Sequence, residues 1–587
     1  MLDALRTRLA RQRSSSLALI VSLLLASWWI ATLEIERSWA WDESMHAELP
    51  AARMLLHLQA GEIESAFDVL HNCVQYPFGW PLVLMLVQWI FGLSELACRS
   101  AGLVAWCGVI FGSFLLAKEV GRAGREDGQA PAPGEDLFPW LALGFTALSP
   151  LGLGYGQSLF LEVPFAFCAV FALRAWLRRL SCRGKPGEGA RHVIAGLWLS
   201  AAFFVKFNYG ILLIFGCALD ALVGLMIAWR RGAGWAEMRR LCFTFAPLAC
   251  GLLWWLVLPL PFGLEMGKHH LDAMLSFLTG NQQLVGAPPE QRVIFWLVFM
   301  SYTTRLFLLQ VLGVLGSLRF LHQPGARLLW LVFLGAGLPV WTHSFQLDRF
   351  LLPNAPIFWS LAALGLAGFV PRSPKPRALA ISALAIGTLL FPSLDALWVG
   401  DRLEVVPADG PGREYVQQVL QEKHRLGPGR RFWTPGFAPQ ITDALLKLVT
   451  ADIQPQERAG WIGNSTEVPP AVFHLALYAE SGNRMRFLAD AHRPLDVTFN
   501  AEDPHWGDAE LAIFVSRFDV VITTDPPDLA GRANRAFLRG YAARLLDPLG
   551  WSVKALGEIS IPKDNGPPLA LTVYALRPPS RTDGAEK

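Results

Sequence analysis

The chain reads as a polytopic α-helical membrane protein of about eleven transmembrane helices, with a soluble α/β domain at its C-terminal end. Three observations predict this. Hydrophobic residues make up 53% of the 587 and charged residues only 17%, against about 25% charged in soluble domains. Apolar runs of spanning length, ~20 residues, recur from the N-terminal region to about residue 398. After about Gly400 the hydropathy drops and short β-like runs alternate with helical patterns. A net charge of +3, with no basic stripe carrying interleaved aromatics, argues against a nucleic-acid partner. The 23 Trp and 37 Phe suit interfacial belts and lipid-facing helices.

The first span runs from about Ser16 to Leu33, behind Arg6, Arg8, Arg11 and Arg13. It exceeds the ~7–15 apolar residues of a signal core, so it is read as retained. Because Lys and Arg in short loops stay in the cytoplasm, span one delivers Asp42 and Glu43 to the outer face. From Glu43 to about Ala60, Met45, Leu49, Leu55 and Leu56 share one face and Gly61 stops the pattern, predicting an amphipathic surface helix. Residues 78–97 are apolar enough to cross. Yet the strongest basic loop, Arg174, Arg178, Arg179, Arg183, Lys185 and Arg191, stays inside only if this segment dips in and returns. Its start, Tyr76-Pro77-Phe78-Gly79-Trp80-Pro81, suits a re-entrant entry.

Further spans follow at about 99–117, 138–155, 160–177, 192–208, 210–229, 241–260, 300–318, 328–342, 350–370 and 378–398. This count also places Lys118 with Arg122 and Arg125, Arg230 with Arg231, Arg239 and Arg240, Arg319 with Arg327, and Arg372 with Lys375 and Arg377 on the inside. The membrane domain is therefore 1–399, with a first external loop at about 34–98, and the soluble domain is 400–587. The protein is expected in the inner (plasma) membrane, N-terminus cytoplasmic and tail periplasmic. Within the tail, Ala512–Val515, Val520–Ile522 and Leu571–Tyr574 read as strands and Arg413–Lys423 as a helix. The eight cysteines form no Cys-x-x-Cys pair and all lie at or before Cys250, which indicates neither a zinc site nor a disulfide framework.

Ionisable groups at the mouths of spans are the candidates for chemistry, because a bilayer disfavours them. Asp42 and Glu43 follow span one, and Glu162 falls at the outer end of another. Carboxylates from two distant segments thus converge on one face, although helix capping is the bland alternative for each. Lys206, Arg305 and Arg349 lie near the outer ends of three further helices. Snorkelling to headgroups is their ordinary use, while cations at an external cleft are what a phosphate leaving group needs. His46 and His71 lack a third ordered ligand, so a metal is a weak reading and a divalent cation stays open as a cofactor.

The order of these features carries a resemblance. Asp42-Glu43 after span one is followed by the Pro-containing re-entrant segment ending Phe91-Gly92-Leu93-Ser94-Glu95-Leu96-Ala97-Cys98-Arg99, then by Ser149-Pro150 leading to Glu162-Val163-Pro164. A helix from Gly196 to Lys206 and the run Asp348-Arg349-Phe350-Leu351-Leu352-Pro353 complete the series. Over about residues 15–400 the chain resembles the GT-C glycosyltransferases, specifically the protein O-mannosyltransferase and aminoarabinose (lipid A) transferase branch. The resemblance implies transfer of one sugar, with inversion, from a polyprenyl-phosphate carrier to an acceptor hydroxyl or phosphate on the outer face. It places Asp42 at the catalytic acid position with Glu43 beside it, Glu162 at the second loop's acid, and Lys206 and Arg349 at phosphate contacts. The sequence departs from the family at His46, where a Tyr is common, and at Tyr76-Pro77, which stands for His-Pro-Pro. Glu162 replaces the commoner Asp. Donor, membrane lipid and an unidentified protein, lipid or glycan acceptor are the partners implied.

The chemistry is coherent on its own terms. An acceptor hydroxyl loses its proton as it attacks the anomeric carbon, and Asp42 is the base expected to take it. Glu43 and Glu162 would orient base or acceptor. His46, Tyr76, Lys206, Arg305 and Arg349 would bind substrate, the cations stabilising charge on the departing phosphate. Three rivals are open: a ligase moving an oligosaccharide from a pyrophosphate carrier, a non-enzymatic lipid-linked-sugar transporter, and a catalytically dead scaffold or assembly protein whose tail binds partners. No internal repeat of the transporter kind is evident.

Overall fold

The computed structural model describes residues 2–31, 44–71, 76–92, 94–123, 136–149, 152, 155–156, 158–181, 184, 186–258, 268, 270–272, 307–342, 348–370, 439–453, 457, 459–462, 519–525, 551–561 and 569–578. Fourteen α-helices are placed here in chain order: α1 Leu2–Ala31, α2 Leu49–Gln59, α3 Ile63–His71, α4 Gly79–Phe91, α5 Glu95–Val120, α6 Phe138–Ala147, α7 Glu162–Leu180, α8 Glu188–Val205, α9 Phe207–Arg230, α10 Gly234–Val257, α11 Phe307–Ser317, α12 Pro324–Thr342, α13 Ala355–Phe369 and α14 Pro439–Asp452. The strands are β1 Ala459–Ile462, β2 Val520–Asp525, β3 Ser552–Ile561 and β4 Leu569–Arg577. The chain divides into two compact units.

The first unit comprises residues 1–34, 75–82 and 96–432, and its described elements are helices and short turns. Segments of α1, α5, α9 and α10 are long and apolar enough to cross a membrane, and shorter apolar helices accompany them. Helix α5 lies close against α7 because Gly108 and Gly112, one turn apart, face Phe167 and Val170 with Phe171; a Cβ at either glycine would come within 3 Å of those side chains. Small residues at this spacing are how apolar helices approach without a hydrophobic drive in lipid. Helix α8 packs on both α7 and α10, and α9 packs on α12. Helix α7 carries Glu162 in its first turn and Arg178 with Arg179 in its last, each charge complementing the helix dipole.

Some boundaries differ from the sequence expectation. The span expected over 138–155 is a ten-residue helix ending at Ala147. The Ser149-Pro150 that follows explains the stop, since proline disfavours helical backbone before it. The span expected from 350 begins at Ala355, after a 3-10 turn Asp348–Leu351. The expected span 378–398 lies outside the described residues.

The second unit comprises residues 35–74, 83–95 and 433–587. Its first part is a π-helical turn, Ser44–Glu48, running into α2 and then α3. Gly61, between the two helices, takes φ +76°, a conformation strained for residues with a Cβ. The tail contributes a four-stranded sheet of order β1-β2-β4-β3, with β1 parallel to β2 and the other pairs antiparallel. Val520, Val521 and Ile522 of β2 and Leu571, Val573 and Ala575 of β4 are buried. Helix α14 lies on β3, where Gly557 makes room for Leu448 beside a register shift at Ala555/Gly557. Lys554 and Arg577 both pair with Asp452 at the end of α14, and Arg577 also pairs with Glu457. The runs 520–522 and 571–574 thus sit inside strands, whereas the predicted 512–515 strand and 413–423 helix lie outside the described residues.

Candidate functional site

The site is built on an interruption between α8 and α9. Lys206 separates them with extended backbone, φ −155° and ψ 98°. Its N–H donates to the Ala202 carbonyl at 3.2 Å, closing α8, and its own carbonyl accepts from the Gly210 N–H at 2.9 Å, opening α9. One residue therefore ends one helix and starts the next. Gly210 permits the fold-back, because a Cβ there would lie 2.6 Å from the Phe203 Cα. The break thrusts the Lys206 side chain into the interior, where the residue is 3% exposed.

A buried ammonium needs a partner, since removing a charge from water costs several kcal/mol. Glu162, 1% exposed at the start of α7, supplies it: Lys206 Nζ donates to Glu162 Oε1 at 2.7 Å. Aromatic rings complete the surroundings. The ammonium lies 4.9 Å from the Tyr76 ring centre, 5.2 Å from Tyr209 and 5.7 Å from Phe350. The negative faces of such rings attract a cation by about 0.5–2 kcal/mol each. Tyr76 is held in turn against Phe207 at 6.0 Å, and Phe78 stacks on Phe204 at 5.2 Å. Gly79 lets this strand of chain approach, because a Cβ there would meet the Phe204 carbonyl oxygen at 2.5 Å.

Glu162, Lys206 and Tyr76, singled out separately in the sequence, are thus one constellation. Asp42, Glu43 and Arg305 lie outside the described residues. Arg349 falls in the 3-10 turn beside Phe350, with its backbone described. His46 belongs to the second unit, buried in the π-helical turn with Glu48. Sequence reasoning missed Tyr209 and Phe350. Tyr209 stands three residues after Lys206 and Phe350 immediately follows Arg349; adjacency to two candidate cations was the available signal. Among the described residues no group of three or more His, Cys, Asp or Glu gathers to hold a metal.

The same helices carry a second polar region at their other ends. Asp220 of α9 accepts from Trp176 Nε1 at 3.0 Å and from Arg327 Nε and Nη2 at 3.1 and 2.9 Å. Arg240 pairs with Glu188, and His192 is hydrogen-bonded to Thr244 at 2.8 Å. Along α7, Glu162 and Arg178 are separated by about 24 Å at 1.5 Å per residue. That approaches the ~30 Å of a bilayer core, so the two polar poles suit its two faces.

The helical unit thus carries a caged ion pair at one pole and arginines at the other. Its fold is similar to that of solved structures. ArnT from Cupriavidus metallidurans in the apo state aligns with a TM-score of 0.54 and 15% identity, over 96% of this chain and 98% of that one. The same ArnT bound to undecaprenyl phosphate aligns with a TM-score of 0.52 and 15% identity, over 95% and 97%. At this identity the likeness establishes the fold. No protein-family model matches the chain, and no curated protein matches its sequence.

Proposed function

We propose that the chain is a membrane glycosyltransferase that takes a sugar from a polyprenyl-phosphate carrier and transfers it, with inversion, to an acceptor at the outer face of the inner membrane. The observation that carries this reading is the buried Lys206–Glu162 pair in its aromatic surround. It is supported by a fold shared over nearly the whole chain with ArnT, one structure of which holds undecaprenyl phosphate.

In the proposed step the acceptor oxygen forms a bond to the anomeric carbon while the bond from that carbon to the carrier phosphate breaks. The electron pair leaves with the phosphate and the acceptor proton passes to Asp42. Glu43 assists the base. Glu162 holds Lys206 charged and oriented, and Lys206 shares its ammonium with a phosphate oxygen as negative charge gathers there. Arg305 and Arg349 add cations, and Tyr76 and His46 contact the sugar or its carrier. The attack comes from the face opposite the phosphate, so no covalent sugar–enzyme intermediate is required. About eleven spans, a membrane domain over 1–399, a cytoplasmic N-terminus and a periplasmic α/β tail over 400–587 complete the proposal.

The test uses the full chain in lipid nanodiscs, offered a panel of polyprenyl-monophosphate and polyprenyl-pyrophosphate sugars while release of the lipid phosphate is followed. Release from a monophosphate donor, reduced at least about 100-fold by Asp42→Asn, is the expected result. Turnover of Asp42→Asn within a few-fold of wild type removes Asp42 as the base. Release from a pyrophosphate donor alone makes the protein a ligase. Counterflow of an intact lipid-linked sugar with no release makes it a transporter.

A further inference from the structure

At the pole opposite Lys206, the turn that follows α5 and the last two turns of α7 bring three arginines around one acid. Arg122 Nη1 and Arg178 Nε both lie 3.8 Å from the same oxygen, Glu119 Oε1. That is ion-pair range but beyond the 2.7–3.2 Å of a hydrogen bond. Arg174, one turn before Arg178 and on the same face of α7, is close enough to feel the charges of Arg178, Glu119 and Arg122. Its Nε is buried and, among the described residues, has no hydrogen-bond partner. Arg122 makes a further interaction, so the excess lies with Arg174 and Arg178, whose two guanidinium groups face the one carboxylate of Glu119 at the depth where these helices end.

Helix C-termini favour cations, which accounts for one arginine at each terminus. It does not account for a third, partly buried arginine whose Nε is left unbonded beside two like charges. A buried donor without an acceptor costs about 1–3 kcal/mol, and a tetrahedral oxyanion removes that cost while offsetting the excess charge. Guanidinium forks match phosphate oxygens in geometry as well as charge. Basic recesses between transmembrane helices at headgroup depth are suited to anionic lipid headgroups.

We infer that Arg122, Arg174 and Arg178 form a phosphate-binding site for the headgroup of an anionic phospholipid in the leaflet opposite Lys206. The inference needs only a membrane-embedded bundle, so it stands or falls separately from the transferase reading. Bound there, the lipid bridges α5 and α7, which Gly108 and Gly112 already draw together. Phosphate chemistry could equally be met by a soluble phosphate, and the experiment separates the two sources.

The full chain is purified in neutral detergent, stripped of lipid, and titrated with phosphatidylglycerol, phosphatidylcholine or inorganic phosphate. Native mass spectrometry counts bound lipid and thermal unfolding reports stabilisation. One phosphatidylglycerol is expected to bind at least tenfold more tightly than phosphatidylcholine, with Arg174→Gln and Arg178→Gln each losing that preference. Arg231→Gln, at an exposed arginine elsewhere at this pole, is expected to keep it. Because the Arg178 side chain is 47% exposed, its variant tests the site even where Arg174→Gln fails to fold. If millimolar inorganic phosphate displaces the lipid, the site takes phosphate from either source; if it does not, the lipid is the ligand. Equal binding of the two lipids, or an unchanged preference in Arg178→Gln, overturns the inference.

Discussion

The two poles of the helical unit hold charge in opposite ways. At one, a single lysine is buried to 4% side-chain exposure and paired with one acid at 1%, with three aromatic rings beside it. At the other, the arginines are numerous and several are partly exposed, 24% for Arg327, 26% for Arg240 and 47% for Arg178, while Arg179 is buried against the Trp176 ring. Exposed charges interact through a high dielectric and are worth little individually. A buried pair costs more to form and far more to break. The number of charges therefore marks which face of a membrane a helix end meets, whereas the burial of a charge marks where the chain has committed energy to a site. Lys206 combines burial with a helix break, and neither occurs by default.

The contrast predicts its own largest effect. Lys206→Met or Glu162→Gln alone removes one partner of a buried pair, so each is expected to destabilise the protein by about 3–5 kcal/mol. The double replacement, Lys206→Met with Glu162→Gln, leaves no orphaned charge and is expected to recover most of that loss. Thermal unfolding of the four proteins completes the double-mutant cycle. Donor turnover, in contrast, is expected to stay lost in the double variant. Single variants as stable as wild type would mean that the pair contributes nothing to the site.

At the arginine-rich pole the comparable change is smaller. Asp220→Asn keeps one acceptor oxygen where Trp176 uses Oδ2 and Arg327 uses Oδ1, so one set of donors meets an amide NH2, and the charge that balances Arg327 is lost. A loss of about 1–3 kcal/mol is expected, the range for weakening a charged hydrogen bond, with KM for the donor unchanged. A shift in donor KM would show that the poles are coupled along α9.

Between these lies the approach of the Tyr76–Phe78 segment to the helix break. Gly79→Ala places a Cβ against the Phe204 carbonyl, which is backbone and cannot swing away. Overpacking of this kind costs about 1–3 kcal/mol. Because the shift loosens Tyr76 beside Lys206, donor KM is expected to rise more than kcat falls. Equal stability and KM would show that the ring does not need this seat.

Much of this was legible in the sequence one residue at a time. Glu162 and Lys206 drew attention as charges at the ends of apolar helices, a local property. Their pairing was not legible, because 44 residues separate them and helix packing decides which ends meet. The Asp220–Arg327 link, across 107 residues, is hidden for the same reason. Tyr209 and Phe350 look like ordinary members of apolar segments and gain meaning only from the ammonium they surround. The parity expected of the membrane helices rests on headgroup chemistry, which sorts arginines without regard to tertiary detail. In the tail, β3 escaped notice because Lys554, Gly557 and Glu558 interrupt its apolar alternation, and the register shift at Ala555/Gly557 moves later side chains across the faces.

The smallest effect belongs to the charged cluster in the tail sheet, which titrates in water. Lys554 first, then Arg577, hold the Asp452 carboxyl below its ordinary value of 3.8, against the opposing influence of burial. A carboxylate with a depressed folded pKa binds fewer protons when folded, so its contribution is complete above the unfolded pKa. It fades as pH falls through the ordinary Asp range and is gone below the folded value. The tail's unfolding midpoint is therefore expected to drop between about pH 5 and pH 3, with Asp452→Asn flattening part of that slope. Thermal scans of the full chain, followed by hydrogen exchange in β3 and β4, resolve the tail from the membrane helices. Lys554→Gln should flatten the slope less than Asp452→Asn, since Arg577 still holds the carboxylate. Identical pH slopes in wild type and Asp452→Asn would mean that α14 stays on the sheet through the contact of Leu448 with Gly557 rather than through charge.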